Sequence, residues 1–184
     1  MKKDETIFFP TDYTVLDIET TGLSSLYSEI IEIGALCIRN GKVEDEFQKL
    51  VKPYRPIPQA ITELTGITNK MVENADTIEY VLPEFLYFAG NDIIAGHNVG
   101  FDIRFIADRA KMIDVEFTNR KVDTMLISRK LHKDMKHHRL CDLAERYDIV
   151  NENAHRALSD CYTTYKALEI MRREYLQKNE YCKL

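Results

Sequence analysis

The chain has 184 residues, of which 45% are apolar and 30% charged, and these values are ordinary for one folded domain. A net charge of −5 argues against a protein that coats nucleic acid through its overall charge, but it is compatible with an acidic site neutralised by cations. The sequence has neither an apolar run of membrane-spanning length nor a signal-peptide pattern at its start. Because its four cysteines form no C-x-x-C pair, we expect reduced thiols and a cytoplasmic protein.

Three strands are predicted in the first third of the chain, at residues 13–19, 29–39 and 43–51. Asn40-Gly41 lies between the second and third of these and is the strongest short signal for a tight hairpin, so we expect them to pair antiparallel. A further short buried strand, DIIA, is predicted at residues 92–95.

Helices are predicted for most of the remaining chain, at residues 59–65, 78–89, 101–112, 124–131, 140–147 and 156 to about 177. The first is expected to end at Gly66, and Pro83 is expected either to bend the second or to begin a helix. Strands joined by hairpins, followed by strands alternating with helices, predict a mixed sheet with helices packed on it.

Two carboxylates stand near the end of the first predicted strand. Asp17 and Glu19 are two residues apart, so the period of a strand puts both side chains on one face. In an otherwise apolar strand the two charges repel each other and resist burial, and a hard divalent cation with oxygen ligands would resolve that repulsion. The alternative is a strand that simply runs out into solvent at the turn signalled by Thr20, Thr21 and Gly22.

Three further polar residues lie in two later segments. Asp102 follows a short apolar strand at the start of a helix, where ligands bind in α/β sheets but where an aspartate is also favoured for structural reasons. His155 and Asp160 are five residues apart, an offset that would separate them by about 140° on one regular helix. They converge only if His155 precedes the helix on a loop and Asp160 lies inside it.

Three segments, DIETTGL, HNVGFD and HRALSD, occur in this order and together are far more specific than any one alone. They resemble the motifs of the DEDD exonucleases, in the histidine-bearing subgroup that includes the proofreading epsilon subunit of bacterial DNA polymerase III. The resemblance runs from about residue 13 to 168. It includes all five functional residues of that family: Asp17, Glu19, Asp102, His155 and Asp160.

The resemblance implies an α/β, ribonuclease H-like fold with a mixed five-stranded sheet flanked by helices. It divides the chain into an exonuclease domain at 13–177, an N-terminal extension at 1–12 and a C-terminal tail at 178–184. The epsilon subunits carry a longer tail that binds the polymerase, whereas this chain ends 24 residues after Asp160. We therefore do not expect stable polymerase binding by that route, and a free-standing nuclease or a fragment of a longer chain fits better.

The implied reaction is two-metal-ion hydrolysis that removes 5′-mononucleotides from 3′ ends, with two Mg²⁺ or Mn²⁺ ions as cofactors. By the resemblance, Asp17 would bridge both ions, and Glu19 and Asp160 would hold the ion that binds the attacking water. Asp102 would support the second ion, and His155 would be the general base.

Substrate contacts are implied for four residues: Thr20, Leu23, Ile67 and Asn98. Thr20 resembles the position whose backbone meets the 3′-terminal sugar, and Leu23 and Ile67 resemble apolar wedges beside the terminal bases, with ordinary packing under a loop as the alternative. Asn98 could reach the substrate. The segment 129–139, with five Lys or Arg against one Asp, is either a phosphate-contacting patch or a solvated surface.

The expected substrate is the 3′ end of single-stranded or frayed DNA. An exoribonuclease of the RNase T or oligoribonuclease kind stays open, because the contact that reads the 2′-hydroxyl cannot be located in the sequence. A module that binds nucleic acid without hydrolysing it is an alternative of another class. A further alternative is an aspartyl-phosphate phosphatase, whose D-x-D-x-T pattern DIET matches incompletely.

Overall fold

Five strands form one sheet in the computed structural model of the chain, which describes residues 6–181. In chain order they are β1 (Tyr13–Thr20), β2 (Ile30–Arg39), β3 (Lys42–Leu50), β4 (Ile94–Gly96) and β5 (Lys121–Asp123). The order across the sheet is β3-β2-β1-β4-β5. Because β1 pairs antiparallel with β2 and parallel with β4, the sheet is mixed, and the predicted fold class is confirmed.

The hairpin between β2 and β3 forms where it was predicted. Asn40 and Gly41 both have positive φ angles, of 50° and 70°, as a two-residue type I′ turn requires. Its flanking residues Arg39 and Lys42 are partners in the ladder. The strand before the turn is buried along nearly its whole length, which explains its run of isoleucines.

Seven helices complete the described part of the chain. They are α1 (Gln59–Thr65), α2 (Asn69–Val72), α3 (Ile78–Ala89), α4 (Gly100–Lys111), α5 (Thr124–Leu131), α6 (Leu140–Arg146) and α7 (Ala157–Tyr181). As predicted, α1 ends at Gly66, whose φ of 72° places it in the left-handed region.

Some boundaries differ from the prediction. Pro83 lies inside α3, which begins at Ile78, so the alternative of a helix start at the proline is wrong. The last helix continues to Tyr181, beyond the predicted end near residue 177. Two elements were not predicted from the residue pattern, α2 and β5, because segments of four and three residues are too short to show a period.

The two faces of the sheet bury separate apolar clusters. Leu16 and Ile18 of β1 point to a cluster that α3 and α4 cover, whereas Tyr13 and Val15 point to the cluster beneath α7. This division follows from the alternation of side chains along a strand. The face that α7 covers is therefore the one to which Asp17 and Glu19 belong.

Part of the predicted N-terminal extension packs on the domain. The backbone N–H of Ile7 donates to the hydroxyl of Tyr175 at 3.2 Å, and the ring of Phe9 lies 5.5 Å from the same tyrosine ring. The domain boundaries at 12/13 and 177/178 stay predictions, and residues 1–5 and 182–184 lie outside the described residues. No helix within the described range has the length and apolarity needed to cross a membrane.

The close approach of α7 to the sheet depends on Gly34 of β2. A Cβ added at Gly34 would lie 2.5 Å from the backbone carbon of Ala157 and 2.5 Å from the backbone nitrogen of Leu158. We therefore expect Gly34→Ala to lower the free energy of unfolding in urea by about 1–3 kcal/mol, the usual cost of overpacking.

Gly100→Ala is a matched control for this substitution. At Gly100 an added Cβ would meet only the Lys121 Nζ, at 3.7 Å, so the free energy of unfolding should change by no more than about 0.5 kcal/mol. Equal effects of the two substitutions would contradict the packing of α7 against Gly34.

Candidate active site

Asp17 and Glu19 lie at the carboxyl end of β1 on the face covered by α7. In the antiparallel ladder Asp17 is opposite Gly34 and Glu19 is opposite Glu32. Both carboxylates are half-buried, and the strand continues to Thr20, which is buried. The alternative in which the strand runs out into solvent before these residues is therefore wrong.

Asp102 reaches the same strand from the first turn of α4. Its Oδ1 accepts a hydrogen bond of 3.1 Å from the backbone N–H of Ile18, between the other two carboxylates. β4 ends at Gly96, so the edge of β1 has no ladder partner at Ile18 and the carboxylate takes that place. The turn is tight, because a Cβ added at Gly96 would lie 2.5 Å from Val99 Cγ2.

His155 and Asp160 meet as the offset between them requires. His155 lies on the loop before α7, and Asp160 is in the first turn of that helix. The backbone N–H of His155 donates to Asp160 Oδ2 at 3.1 Å, and His155 has a φ of 63°. A positive φ is uncommon for histidine and indicates a constrained loop. The imidazole is exposed, and its ligand atom lies within 4.8 Å of oxygens of both Glu19 and Asp160.

The carboxylates raise one another's pKa. Burial, followed by the charges of Asp102, Asp160 and Glu19, holds the pKa of Asp17 well above its usual value. Burial and then the charge of Asp160 raise the pKa of Glu19 to about 8. Burial also raises the pKa of Asp102 to about 8, against the opposing effect of backbone N–H groups. Hard oxygen donors crowded in this way fit divalent cations, which remove the repulsion.

Three polar residues at the site were not recognised in the sequence. The side chain of Glu32 is fully buried and forms an ion pair with Arg156, with 2.6 Å between Oε1 and Nη2. Asn151 Nδ2 donates to Asp160 Oδ1 at 2.7 Å. For Glu32 a signal was present, because a glutamate within an isoleucine-rich strand needs a buried partner. Asn151 gives no such signal, because its role depends on the path of a loop.

The four residues assigned to substrate contacts differ in their surroundings. Leu23 is 86% exposed, so ordinary packing under a loop does not explain it. Asn98 is exposed and has a φ of 58°, and its N–H donates to Asp123 Oδ1 at 3.0 Å. Thr20 donates its hydroxyl to the Gly22 carbonyl at 2.7 Å, which leaves its backbone as the part that could meet a sugar.

Ile67 is the exception, and its assignment as a wedge is corrected. Its side chain is fully buried in a small cluster that contains Ile31, Ile57 and Val72. The residue therefore belongs to the core beneath α1, and no part of its side chain is available to a base in this structure. Neighbouring Leu64 is 53% exposed, which shows that the surface of this segment is formed by other side chains.

Asp123 and His97 support the edge of the sheet beside the site. Asp123 Oδ1 caps α5 by accepting hydrogen bonds from the N–H groups of Met125 and Leu126. His97 Nδ1 lies 2.9 Å from Thr124 Oγ1. Both residues therefore hold α5 against the end of β4.

The family model for exonucleases matches residues 14–168, which include all five site residues. The chain belongs to the exonuclease family. The predicted membership of the DEDDh 3′→5′ exonucleases, and with it the enzyme class, is confirmed.

The curated relatives are much longer proteins. DNA polymerase III PolC-type from Caldanaerobacter subterraneus is 44% identical over 153 residues, and the match covers 83% of this chain but 11% of the relative. The Bacillus subtilis protein of the same name is 37% identical over 168 residues, with 90% of this chain and 12% of the relative covered. The chain thus spans about a tenth of the length of these relatives.

Solved structures share the fold over nearly the whole chain. Exonuclease X in complex with 5′ overhanging duplex DNA has a TM-score of 0.71 and 28% identity, covering 88% of this chain and 92% of its own. The nuclease domain of 3′hExo bound to rAMP, described as a DEDDh family member, has a TM-score of 0.75 and 20% identity. That match covers 89% of this chain and 92% of the other, and at its low identity it supports the fold alone.

The raised pKa values predict how stability depends on pH without metal. At these carboxylates the folded chain binds more protons than the unfolded chain, whose carboxylates titrate at about pH 4. This contribution is fully present below that pH and is lost as the pH rises through about 8, the pKa of Glu19 and Asp102. We expect the free energy of unfolding in EDTA to fall between about pH 5 and pH 8, and Mg²⁺ to raise Tm more at the higher pH. An increase of Tm by Mg²⁺ that is the same at every pH would contradict the raised pKa values of these carboxylates.

Proposed function

We propose that this domain removes nucleotides one at a time from the 3′ end of single-stranded or frayed DNA and releases them as 5′-monophosphates. The observation that supports the proposal best is the convergence of Glu19, His155 and Asp160, whose ligand atoms lie within 4.8 Å of one another beside Asp17 and Asp102. We propose DNA and not RNA as the substrate because the curated relatives are named DNA polymerases.

Two divalent cations fit the four carboxylates, and we propose Mg²⁺ or Mn²⁺. Asp17 would contribute to both sites, Glu19 and Asp160 to one, and Asp102 to the other. Two bound cations supply the positive charge that stabilises the attacking and leaving oxygens of an in-line displacement at phosphorus. The hydrogen bonds from Ile18 N–H to Asp102 and from His155 N–H to Asp160 orient two of these carboxylates before any cation binds.

His155 is proposed as the general base. Its imidazole is exposed on a loop and lies beside Glu19 and Asp160, so it can reach a water next to the carboxylates and pass the proton to solvent. The proton leaves the water as its oxygen attacks phosphorus, and the bond to the 3′ oxygen of the remaining strand breaks.

The substrate contacts proposed are the backbone of Thr20 and the exposed side chains of Leu23 and Asn98. Leu23 extends from the loop that follows β1, next to the carboxylates, where an apolar side chain can pack against the terminal base. Whether segment 129–139 contacts phosphates stays a prediction. We further propose proofreading for a DNA polymerase as the biological role, in view of the names of the relatives.

The direct test uses 5′-labelled single-stranded DNA and an RNA oligonucleotide of the same sequence, resolved on a gel after incubation with Mg²⁺, Mn²⁺ or EDTA. We expect a ladder that shortens from the 3′ end, faster on DNA, and no shortening in EDTA.

Asp17→Asn should abolish the ladder while the chain stays folded, because it removes a cation ligand and relieves repulsion among the carboxylates.

Asp76→Asn is the matched control, since Asp76 is exposed on the loop before α3, a helix that carries none of the four carboxylates, and it should leave the ladder unchanged. Faster shortening of RNA would replace DNA by RNA as the proposed substrate. Binding of both oligonucleotides with no hydrolysis of either would favour the binding module.

His155→Ala should lower kcat by roughly 10²–10⁴-fold with a small change in KM, because a general base acts in the transition state. Glu152→Ala, at an exposed position of the same loop, is the control and should retain the wild-type kcat. If His155→Ala kept the wild-type rate between about pH 6 and pH 8, another group would be the base.

A further inference from the structure

A fifth carboxylate lies next to the four of the site. Glu32 of β2 is the cross-strand partner of Glu19, and its side chain is fully buried. Like charges directly opposite each other on neighbouring strands are destabilising, and a buried carboxylate without partners is costly. The position of Glu32 therefore requires a compensating group.

That group is Arg156, the residue that directly follows His155. Its Nη2 donates to Glu32 Oε1 at 2.6 Å and its Nε donates to Oε2 at 3.0 Å, which is a two-pronged contact of the kind that a guanidinium favours. Two more donors complete the set: the Ala157 N–H at 3.0 Å from Oε2 and Gln48 Nε2 at 2.9 Å from Oε1. Each oxygen of Glu32 thus accepts at least two hydrogen bonds, so the carboxylate is held away from the role of a cation ligand.

The contact fixes the junction between the loop and α7. Arg156 and Ala157 both donate to Glu32, so the last loop residue and the first helical residue are tied to β2. His155 precedes this junction, and the Asp160 N–H donates to the Arg156 carbonyl at 3.0 Å one helical turn later. The orientations of His155 and Asp160 relative to Glu19 therefore depend on where Glu32 holds the junction.

Stability alone is a weak reason for such a pair. A buried ion pair is often no more stabilising than apolar residues of the same volume, because both ions lose their hydration. The pair instead connects the strand next to Glu19 with the segment that carries the other two members of the cluster. Replacing a residue that orients a metal ligand without binding the metal itself typically lowers metal affinity or activity by about 10–100-fold.

We propose that Glu32 and Arg156 form a positioning pair that sets His155 and Asp160 against Glu19 for cation binding and hydrolysis. The inference rests on the proposed function for the identity of the reaction. Neither residue contacts the substrate in this account.

Arg156→Lys is the most informative variant. Lysine keeps the positive charge but lacks the planar guanidinium that contacts both oxygens of Glu32. The substitution therefore alters how the junction is positioned more than it alters the charge at the site. We expect kcat to fall about 10–100-fold with KM for a single-stranded oligonucleotide changed less than about two-fold, and Mn²⁺ affinity measured by electron paramagnetic resonance to fall about ten-fold or more. Arg173→Lys, at an exposed position of the same helix, should retain wild-type values of all three.

A second variant separates positioning from folding. The Arg156 side chain is 31% exposed, so a small cation can enter the space that Arg156→Ala leaves. Guanidinium ion at non-denaturing concentration should restore part of kcat and of Mn²⁺ affinity to Arg156→Ala, while methylammonium should restore less because it lacks the fork. A variant that is only less stable would show no such difference between the two ions.

The outcomes distinguish this inference from the proposed function. Wild-type kcat and Mn²⁺ affinity in Arg156→Lys would overturn the positioning role, as would a raised KM with unchanged kcat, which would make Arg156 a substrate contact. If the wild-type chain bound Mn²⁺ but hydrolysed neither DNA nor RNA, the proposed function would fail. The Mn²⁺ affinities of the variants would then decide the positioning role on their own.

Discussion

Repulsion among four carboxylates is the constraint on which the rest of the site depends. Asp17 and Glu19 come from β1, Asp102 from α4 and Asp160 from α7, and they share one partly buried volume. The fold supplies this concentration of charge by bringing the end of one strand and the first turns of two helices to the same edge of the sheet. Burial raises the pKa of Glu19 and of Asp102 to about 8, and nearby carboxylate charges add to the effect of burial, so without cations the site favours protonation.

The surrounding hydrogen bonds show how the chain keeps these groups in place. The Ile18 N–H holds Asp102, the loop before α7 holds Asp160, and the Glu32 and Arg156 pair holds the junction of that loop with the helix. Gly34 lets the backbone of α7 approach the sheet directly. The side chains that would react are therefore oriented by backbone and buried contacts, while His155 stays exposed where a water and a phosphate can reach it.

Much of this was predictable from local patterns. The two-residue spacing of Asp17 and Glu19 gave their shared face, and the five-residue offset of His155 and Asp160 required a loop before the helix, as observed. The resemblance supplied the pairing of distant motifs, which periodicity alone does not encode. Ile67 was assigned wrongly because exposure depends on how a turn folds back, and the partnership of Glu32 with Arg156 joins residues 124 positions apart, which no local pattern can pair.

The most direct test of the carboxylate constraint is the number of protons released when Mg²⁺ binds at about pH 7, measured by calorimetry in two buffers of different ionisation enthalpy. With the pKa of Glu19 and Asp102 near 8, cation binding must displace protons, so we expect release of about one proton or more per chain. Asp17→Asn should bind Mg²⁺ more weakly. Tight binding of Mg²⁺ by the wild-type chain with no proton released would contradict the account, because the carboxylates would then be ionised without their cations.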